Sequence, residues 1–267
     1  MLLTRDIAQL LEQSEIDYMS DRMAAMAELP GNPHGVETAR FGSATAFYSR
    51  GMPWPMFNNV KGALEEDQLA SIVAFYEERE RSFEFHISPL GTDSRSMERL
   101  ARIGFYQSGF HATMYTEAAA QTMDLPSGVQ IRELRDDEFM TYAAIHCEAT
   151  GLSMDGQIYV AENNRILAVR PGWRYYIAFC EEQPAAVAAM YRNGGSASCT
   201  FAATLPAYRG RGLQTALLRR RIADAYSEGC EIVVGQCAYG STSHANMERA
   251  GMRLGYSRAT WKRLANS

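Results

Sequence analysis

Thr204-Leu-Pro-Ala-Tyr-Arg209-Gly-Arg-Gly212-Leu-Gln-Thr215 is the stretch that decides how this chain folds. Upstream, Ala197 to Thr204 is a run of small and β-branched residues, as in a buried strand. Downstream, Leu213, Leu217, Leu218, Ile222 and Ala225 recur at helical spacing. A strand therefore ends near Pro206, a glycine-rich turn follows, and a helix starts at about Arg211. The first backbone N–H groups of a helix have no intrahelical acceptor, and the helix dipole favours negative charge there. Gly210 and Gly212 keep side chains away from those amides, and Arg209 and Arg211 add positive charge. The pattern predicts a seat for phosphate. The alternative is a plain glycine-rich turn joining strand to helix.

A nucleotide P-loop would need Gly-Lys-Ser/Thr at the end of the turn, and the sequence lacks it. A dinucleotide fingerprint would need glycine at Thr215, a parallel αβ series, and an acid closing the next strand; Glu231 opens that strand instead. Arg209-x-x-Gly212-x-Gln214, preceded by Leu-Pro-Ala-Tyr and followed by Ala-Leu-Leu, resembles the pyrophosphate-binding motif of the GNAT superfamily of acyl-CoA N-acyltransferases. Gln214 departs from the Gly or Ala usual at that position.

The 267 residues suffice for one large domain or two small ones. A hydrophobic content of 46% supports packed cores, and 21% charged residues argues against disorder. With a net charge of -5 and no Lys/Arg block on a suitable module, nucleic acid is not an expected partner. A mildly acidic surface suits a cationic amine. Cys147, Cys180, Cys199, Cys230 and Cys237 form no close pair or zinc spacing, which reads as reduced thiols. The five histidines are scattered, so no metal is expected. The N-terminus turns polar early and no apolar run is long enough to span a membrane. A cytoplasmic location is the expectation.

In chain order, residues 2–27 suggest one or two amphipathic helices, and 36–49 strands around Gly42. Residues 51–60 read as a turn-rich connection, 65–80 as a helix, and 82–88 as a half-buried strand. A helix over 94–102 ends at Gly104, and 105–116 returns as strand. Residues 118–128 read as a linker. After it come strand 129–133, helices 136–149 and 157–169, and strands 174–180, 185–191 and 197–204. The helix after the seat stops at Gly229; strand 231–237, helix 243–250 and strand 256–263 follow.

From Val129 this is the element order of the GNAT fold, so the resemblance covers the second half. It implies an α/β fold with a mixed, mostly antiparallel sheet and flanking helices. Gly251-Met252 stands where the family places a Gly-Phe after its last helix. Ser94-Arg-Ser-Met-Glu-Arg-Leu-Ala-Arg-Ile-Gly104-Phe105 carries a similar phrase in the first half. Two tandem GNAT-like domains are therefore expected, 1–120 a degenerate copy and 127–267 the acetyltransferase domain. An unrelated α/β N-terminal domain is the alternative.

The resemblance implies acetyl-CoA as cosubstrate, direct transfer to an amine, and no metal. Arg209, Gly210, Arg211, Gly212, Leu213, Gln214 and Thr215 would hold the pyrophosphate. Ala203, Thr204 and Leu205 would offer amides to the pantetheine arm, with Ser243 and Asn246 at the start of the later helix. Family members often use a strand Glu as base and a Tyr four residues before the Gly-Phe as acid. Here the feeding strand has no Glu, and Met247 holds the tyrosine's place. Replacements are Tyr239, His244 and Asn246, together with Ser243. Against them, a lone His is often incidental, Ser243 suits a helix N-cap, and Tyr239 could pack over the cofactor. Arg219-Arg220-Arg221 could reach the ribose phosphate or form a solvated helix face. Cys199 and Cys237 read as core residues rather than an acyl relay. Glu148 and Asp155 could bind a cationic acceptor in the family's acceptor cleft. A small-molecule or peptide amine is the expected partner, and the chain is expected to be a monomer or a homodimer. An acyl-CoA-binding or regulatory module without catalysis is the alternative function.

Overall fold

The computed structural model describes residues 2–52, 54–90, 93–122 and 124–264. Met123, within the expected linker, and Pro53, within the turn-rich connection, lie outside the described residues. Helix α1 (Arg5–Ala27) is a single helix whose Thr4 side chain accepts from the Ile7 N–H. Strands β1 (Val36–Phe41) and β2 (Ala44–Ser49) form a hairpin whose tight turn needs Gly42 at φ 57°. Strand β3 (Asn59–Lys61) is followed by α2 (Leu69–Glu77), β4 (Glu84–Ile87), α3 (Ser94–Arg102, capped by Asp93) and β5 (Phe105–Glu117). Next come β6 (Val129–Glu133), α4 (Phe139–Thr150), α5 (Gln157–Ala168), β7 (Trp173–Cys180), β8 (Gln183–Asn193) and β9 (Ser196–Thr204). The chain closes with α6 (Leu213–Ser227), β10 (Ile232–Ala238), α7 (Thr242–Arg249) and β11 (Arg253–Arg263).

These elements form two compact units. One comprises Leu2–Thr113 together with the chain from Leu254 onward; the other is Met114–Arg253. The sequence placed the last strand in the second domain, with boundaries at 120 and 127. By its contacts that strand packs within the first unit instead: Ala259–Lys262 pair antiparallel with Glu84–Ile87 of β4, and Arg258 adds an ion pair. Its guanidinium is buried and bonds Glu15 of α1 at 2.5 Å.

In the first unit the strand order is β1-β2-β3-β4-β11-β5, with β3 and β4 parallel. Its core gathers Ala46, Val60, Ile72, Tyr76, Phe83, Phe85 and Leu100, with the Tyr76 and Phe83 rings stacked at 3.9 Å. Beside this apolar core lies a buried ion network. Glu15 accepts from Lys61 (2.7 Å) as well as Arg258, and His86 Nδ1 lies 2.9 Å from both cations. His86 Nε2 faces Glu84 at 3.2 Å. Burial pushes the Glu15 carboxyl up, but Arg258 and Lys61 outweigh it and bring it down from 4.5 to about 2. Burial lowers Lys61 to about 8, and burial together with Lys61 and Arg258 holds His86 well below 6.5.

In the second unit the order is β6-β7-β8-β9-β10, with Met114–Glu117 of β5 beyond β10. Only β9–β10 is parallel among the pairings described for these strands. Strand β8 is buried throughout Ala185–Met190, because α4 packs on it and α6 does as well. Its small side chains let the helices approach. Arg221 of α6 is itself buried there, and donates to the carbonyls of Leu217 and Ala189.

Candidate functional site

The predicted strand-turn-helix forms as follows. Pro206 opens a short 3-10 turn over Pro206–Tyr208, in which the Tyr208 N–H donates to the Leu205 carbonyl. Gly210 and Gly212 then take φ 77° and 76°, a conformation that a side chain resists. Gly212 caps α6, and no side chain bonds the helix start. The first helical bond runs from Ala216 N–H to the Gly212 carbonyl at 3.0 Å. The amides of Leu213, Gln214 and Thr215 thus precede the first intrahelical donor and point out of the helix end.

The feeding strand opens beside them. Pairing of β10 with β9 runs from Ile232–Ser196 to Gly235–Cys199 and stops there. One residue later β9 bulges: Ala189 pairs with Thr200 and Val187 with Ala203, so Phe201 and Ala202 face Ala188 alone. Phe201 takes φ 50°, and its carbonyl accepts a 2.6 Å bond from Tyr142 Oη on α4. The bulge turns the end of β9 away from β10. Leu205 N–H is used by the Ala185 carbonyl, so strand alternation aims the Thr204 N–H to the opposite side, into the opening.

A cleft of about 770 Å³ joins the opening to the helix start. Ala203, Thr204, Arg209, Gly210 and Gly212 to Thr215 line it, as do Ser243 and Asn246. Leu205 and Arg211 do not. Arg211 turns to Cys180 Sγ (3.4 Å) and lies over the Tyr208 ring. Arg209 reaches the rim, but its guanidinium bonds the Ala149 carbonyl at 2.9 Å, close to the end of α4. A bond to a neutral carbonyl leaves Arg209 charged, so the seat combines the backbone dipole with the Arg209 and Arg249 guanidiniums of the lining. Tyr208, Ser241, Thr242 and Arg249 also line the cleft and were missed in the sequence, where nothing marks them apart from neighbouring loop residues.

The catalytic candidates separate. Asn246 lines the cleft and its Oδ1 accepts from Arg249 at 2.9 Å. His244 is buried away from the lining; its Nδ1 accepts the Gly240 N–H at 3.0 Å, and Tyr239 stands edge-on to its ring. The N-cap of α7 is Ser241, not Ser243. Glu148 and Asp155 are exposed and outside the lining, and Asp155 N–H is bonded to Ser153 Oγ. All five cysteines are buried and unpaired, and burial raises the thiols of Cys199 and Cys237. Among the described residues, no group of His, Cys, Asp and Glu could hold a metal ion, and no helix is long and apolar enough to cross a membrane.

Two buried polar atoms in the lining, Thr204 Oγ1 and Gln214 Oε1, have no hydrogen-bond partner. Such atoms are costly unless a ligand or solvent satisfies them. With two left-handed glycines, an uncapped helix start and a splayed strand, the cleft fits an extended ligand carrying a phosphate group and amide-like hydrogen-bonding groups.

Comparison with known proteins identifies the fold. Residues 159–236 match the model of the acetyltransferase (GNAT) domain. The fold is the GNAT fold. A GCN5-related N-acetyltransferase from Kribbella flavida superposes with a TM-score of 0.68 at 14% identity, over 92% of this chain and 96% of that one. A tandem GNAT protein from the clavulanic acid biosynthesis pathway covers 100% of this chain and 98% of its own, with a TM-score of 0.61 and 14% identity. A conserved protein of unknown function from Staphylococcus epidermidis gives 0.65 at 11% identity, over 91% and 100%. No curated protein matches by sequence. The tandem GNAT architecture expected for the chain is therefore present.

Proposed function

We propose that the Met114–Arg253 unit is an N-acetyltransferase that takes acetyl-CoA in the cleft between β9 and β10. The observation that carries this reading is the uncapped α6 start opening directly onto the splayed β9 end. Acetyl-CoA supplies the acyl thioester. The chain's part is to seat the diphosphate on the amides of Leu213 to Thr215 and to let the pantetheine arm lie along Ala203 and Thr204, beside the free Thr204 N–H. Thr204 Oγ1 and Gln214 Oε1 gain partners when the cleft fills. Asn246, held by Arg249, is the polar side chain of the candidate catalytic set that reaches the cleft. The acceptor is a small-molecule or peptide amine.

A second reading is an acyl-CoA-binding module without turnover. Among the described lining residues, hydroxyls, amides and arginines supply the polar groups, with no carboxylate or imidazole to take the amine's proton.

Thermal unfolding with acetyl-CoA tests the cleft. At about 100 times its dissociation constant, the ligand should add roughly 2.7 kcal/mol to wild type. Gly212→Glu, which puts a carboxylate at the helix start, should gain nothing. A wild type that does not respond to acetyl-CoA refutes both readings. Release of free CoA thiol with any member of an amine panel refutes the second.

A further inference from the structure

Strands β9 and β10 stay paired as far as Cys199 and Gly235. Gln236 is the next residue of β10, so it stands where the two strands begin to part. Its face of the sheet follows from its neighbours. On β7, Tyr176 bonds Asp224 of α6 while Tyr175 packs on Tyr142 of α4, so α6 and α4 cover opposite faces. A Cβ added at Gly235 would meet Met247 of α7 at 3.0 Å, and α7 packs beside α6. Alternation therefore sends the Gln236 side chain to the α4 face. On that same face, Tyr142 Oη donates to the Phe201 carbonyl of the β9 bulge.

The Gln236 carboxamide has no structural explanation. Its Nε2 is buried, and the side chain makes no hydrogen bond among the described residues. A buried N–H donor without an acceptor is costly. The flanking side chains of β10, Ile232 to Val234 and Cys237, are apolar and buried, so an apolar residue would suit the strand better. What the amide lacks is an acceptor oxygen.

We propose that Gln236 is a catalytic residue of the Met114–Arg253 unit, whose Nε2–H donates to the carbonyl oxygen of the acyl thioester. This rests on the reading of the opening between β9 and β10 as the acetyl-CoA site. A thioester carried past Thr204 and Ala203 reaches the point where the strands part, one residue beyond the last pair. When a neutral amine attacks there, the C–N bond forms and the carbonyl oxygen takes the negative charge, so the Nε2–H bond strengthens. The C–S bond then breaks, the carbonyl re-forms, and the thiolate takes the proton shed by the nitrogen. Gln236 does not titrate, so it polarises the thioester without supplying the base.

Titration calorimetry of the full chain with acetyl-CoA and with CoA, which lacks the thioester carbonyl, tests this. Gln236→Met keeps the length of the side chain and removes the donor. It should weaken acetyl-CoA about fivefold, the equivalent of one neutral hydrogen bond, and leave CoA unchanged. Unchanged acetyl-CoA affinity overturns the proposal. Equal weakening of both ligands overturns it too, since the amide would then meet a part they share. Wild type supplies a check that does not need the variant to fold. In its NMR spectrum the Gln236 side-chain amide should shift with acetyl-CoA and not with CoA, whereas that of Gln214 should shift with both. A Gln236 amide that ignores acetyl-CoA, or answers both ligands alike, overturns the proposal. Failure of wild type to bind either ligand overturns the reading of the cleft itself, and this proposal with it.

Discussion

Replacing Tyr142 with Phe removes only the hydroxyl that holds the β9 bulge, so it separates the shape of the cleft from its composition. The lost bond, Tyr142 Oη to the Phe201 carbonyl at 2.6 Å, is made by a fully buried side chain. Its removal should cost about 1–2 kcal/mol, lowering the melting temperature by about 2–8 °C. Phe201 at φ 50° carries strain of roughly 1–2 kcal/mol of its own, which the hydroxyl now offsets. Without that bond, the ratio of the open form to forms in which Phe201 relaxes should fall about tenfold, because 1.4 kcal/mol is a factor of ten. The apparent dissociation constant for acetyl-CoA scales inversely with the open fraction, so it should rise severalfold, to a limit of about tenfold. Titration calorimetry on Tyr142→Phe measures this directly. The double variant Tyr142→Phe/Phe201→Gly supplies the control. Glycine adopts φ 50° without strain and should return affinity to near wild type, although the Phe201 stack on Trp173 is lost. Unchanged affinity in Tyr142→Phe despite a lowered melting temperature would refute the link between bulge and cleft.

Other perturbations have equally definite outcomes. Glu15 has its folded pKa lowered to about 2, so its contribution is present above the ordinary 4.5 and is lost as pH falls from 4.5 towards 2. Acid unfolding of the first unit, followed by circular dichroism, should therefore flatten in Glu15→Gln over that window. The same variant should lose about 3–5 kcal/mol at neutral pH, because Lys61 and Arg258 are left buried without their carboxylate. Gly62→Ala should be costly, on the order of 3 kcal/mol by urea unfolding: at φ 94° its new Cβ would lie 2.5 Å from the Ser43 carbonyl oxygen. A thiol reagent should label none of the five cysteines until denaturant is added, and rapid labelling of native protein would contradict their burial.

The second unit was legible because its signals are local. Gly210 and Gly212 announce a left-handed turn by residue type alone, and the small residues of β8 and β9 announce strands covered on both faces. What escaped the sequence depends on distant partners. Strand β3 is only Asn59–Lys61, too short for a period, and exists because it pairs with β2 and β4. Arg211 looked like a phosphate ligand, yet it lies outside the cleft lining and turns to Cys180, 31 residues away in sequence; Arg209 stays on the lining, tied to Ala149, 60 residues away. Helix α2 begins at Leu69 rather than at Glu65, because Glu65 turns back to accept from the Ser43 N–H. His244 looked available, but a backbone N–H four residues before it occupies Nδ1.

The two units also show how one architecture comes to differ at the same step. Each passes from a strand, through a turn, into a helix, and then into a parallel neighbouring strand: β3-α2-β4 in the first, β9-α6-β10 in the second. In the second the turn is Arg-Gly-Arg-Gly, the helix start is uncapped, and the strands part after Cys199. In the first the residues ahead of the helix are Glu65, Glu66 and Asp67, whose carboxylates would repel a phosphate where backbone N–H groups would attract it. Its strands stay paired through Lys61 and His86, and those two side chains belong to the buried ion network. Removing the acids would not by itself create a cleft, because the Lys61–His86 pairing would still close the strands. Recognition therefore needs both changes together, the glycine turn for charge and the strand bulge for space, and the Met114–Arg253 unit has both.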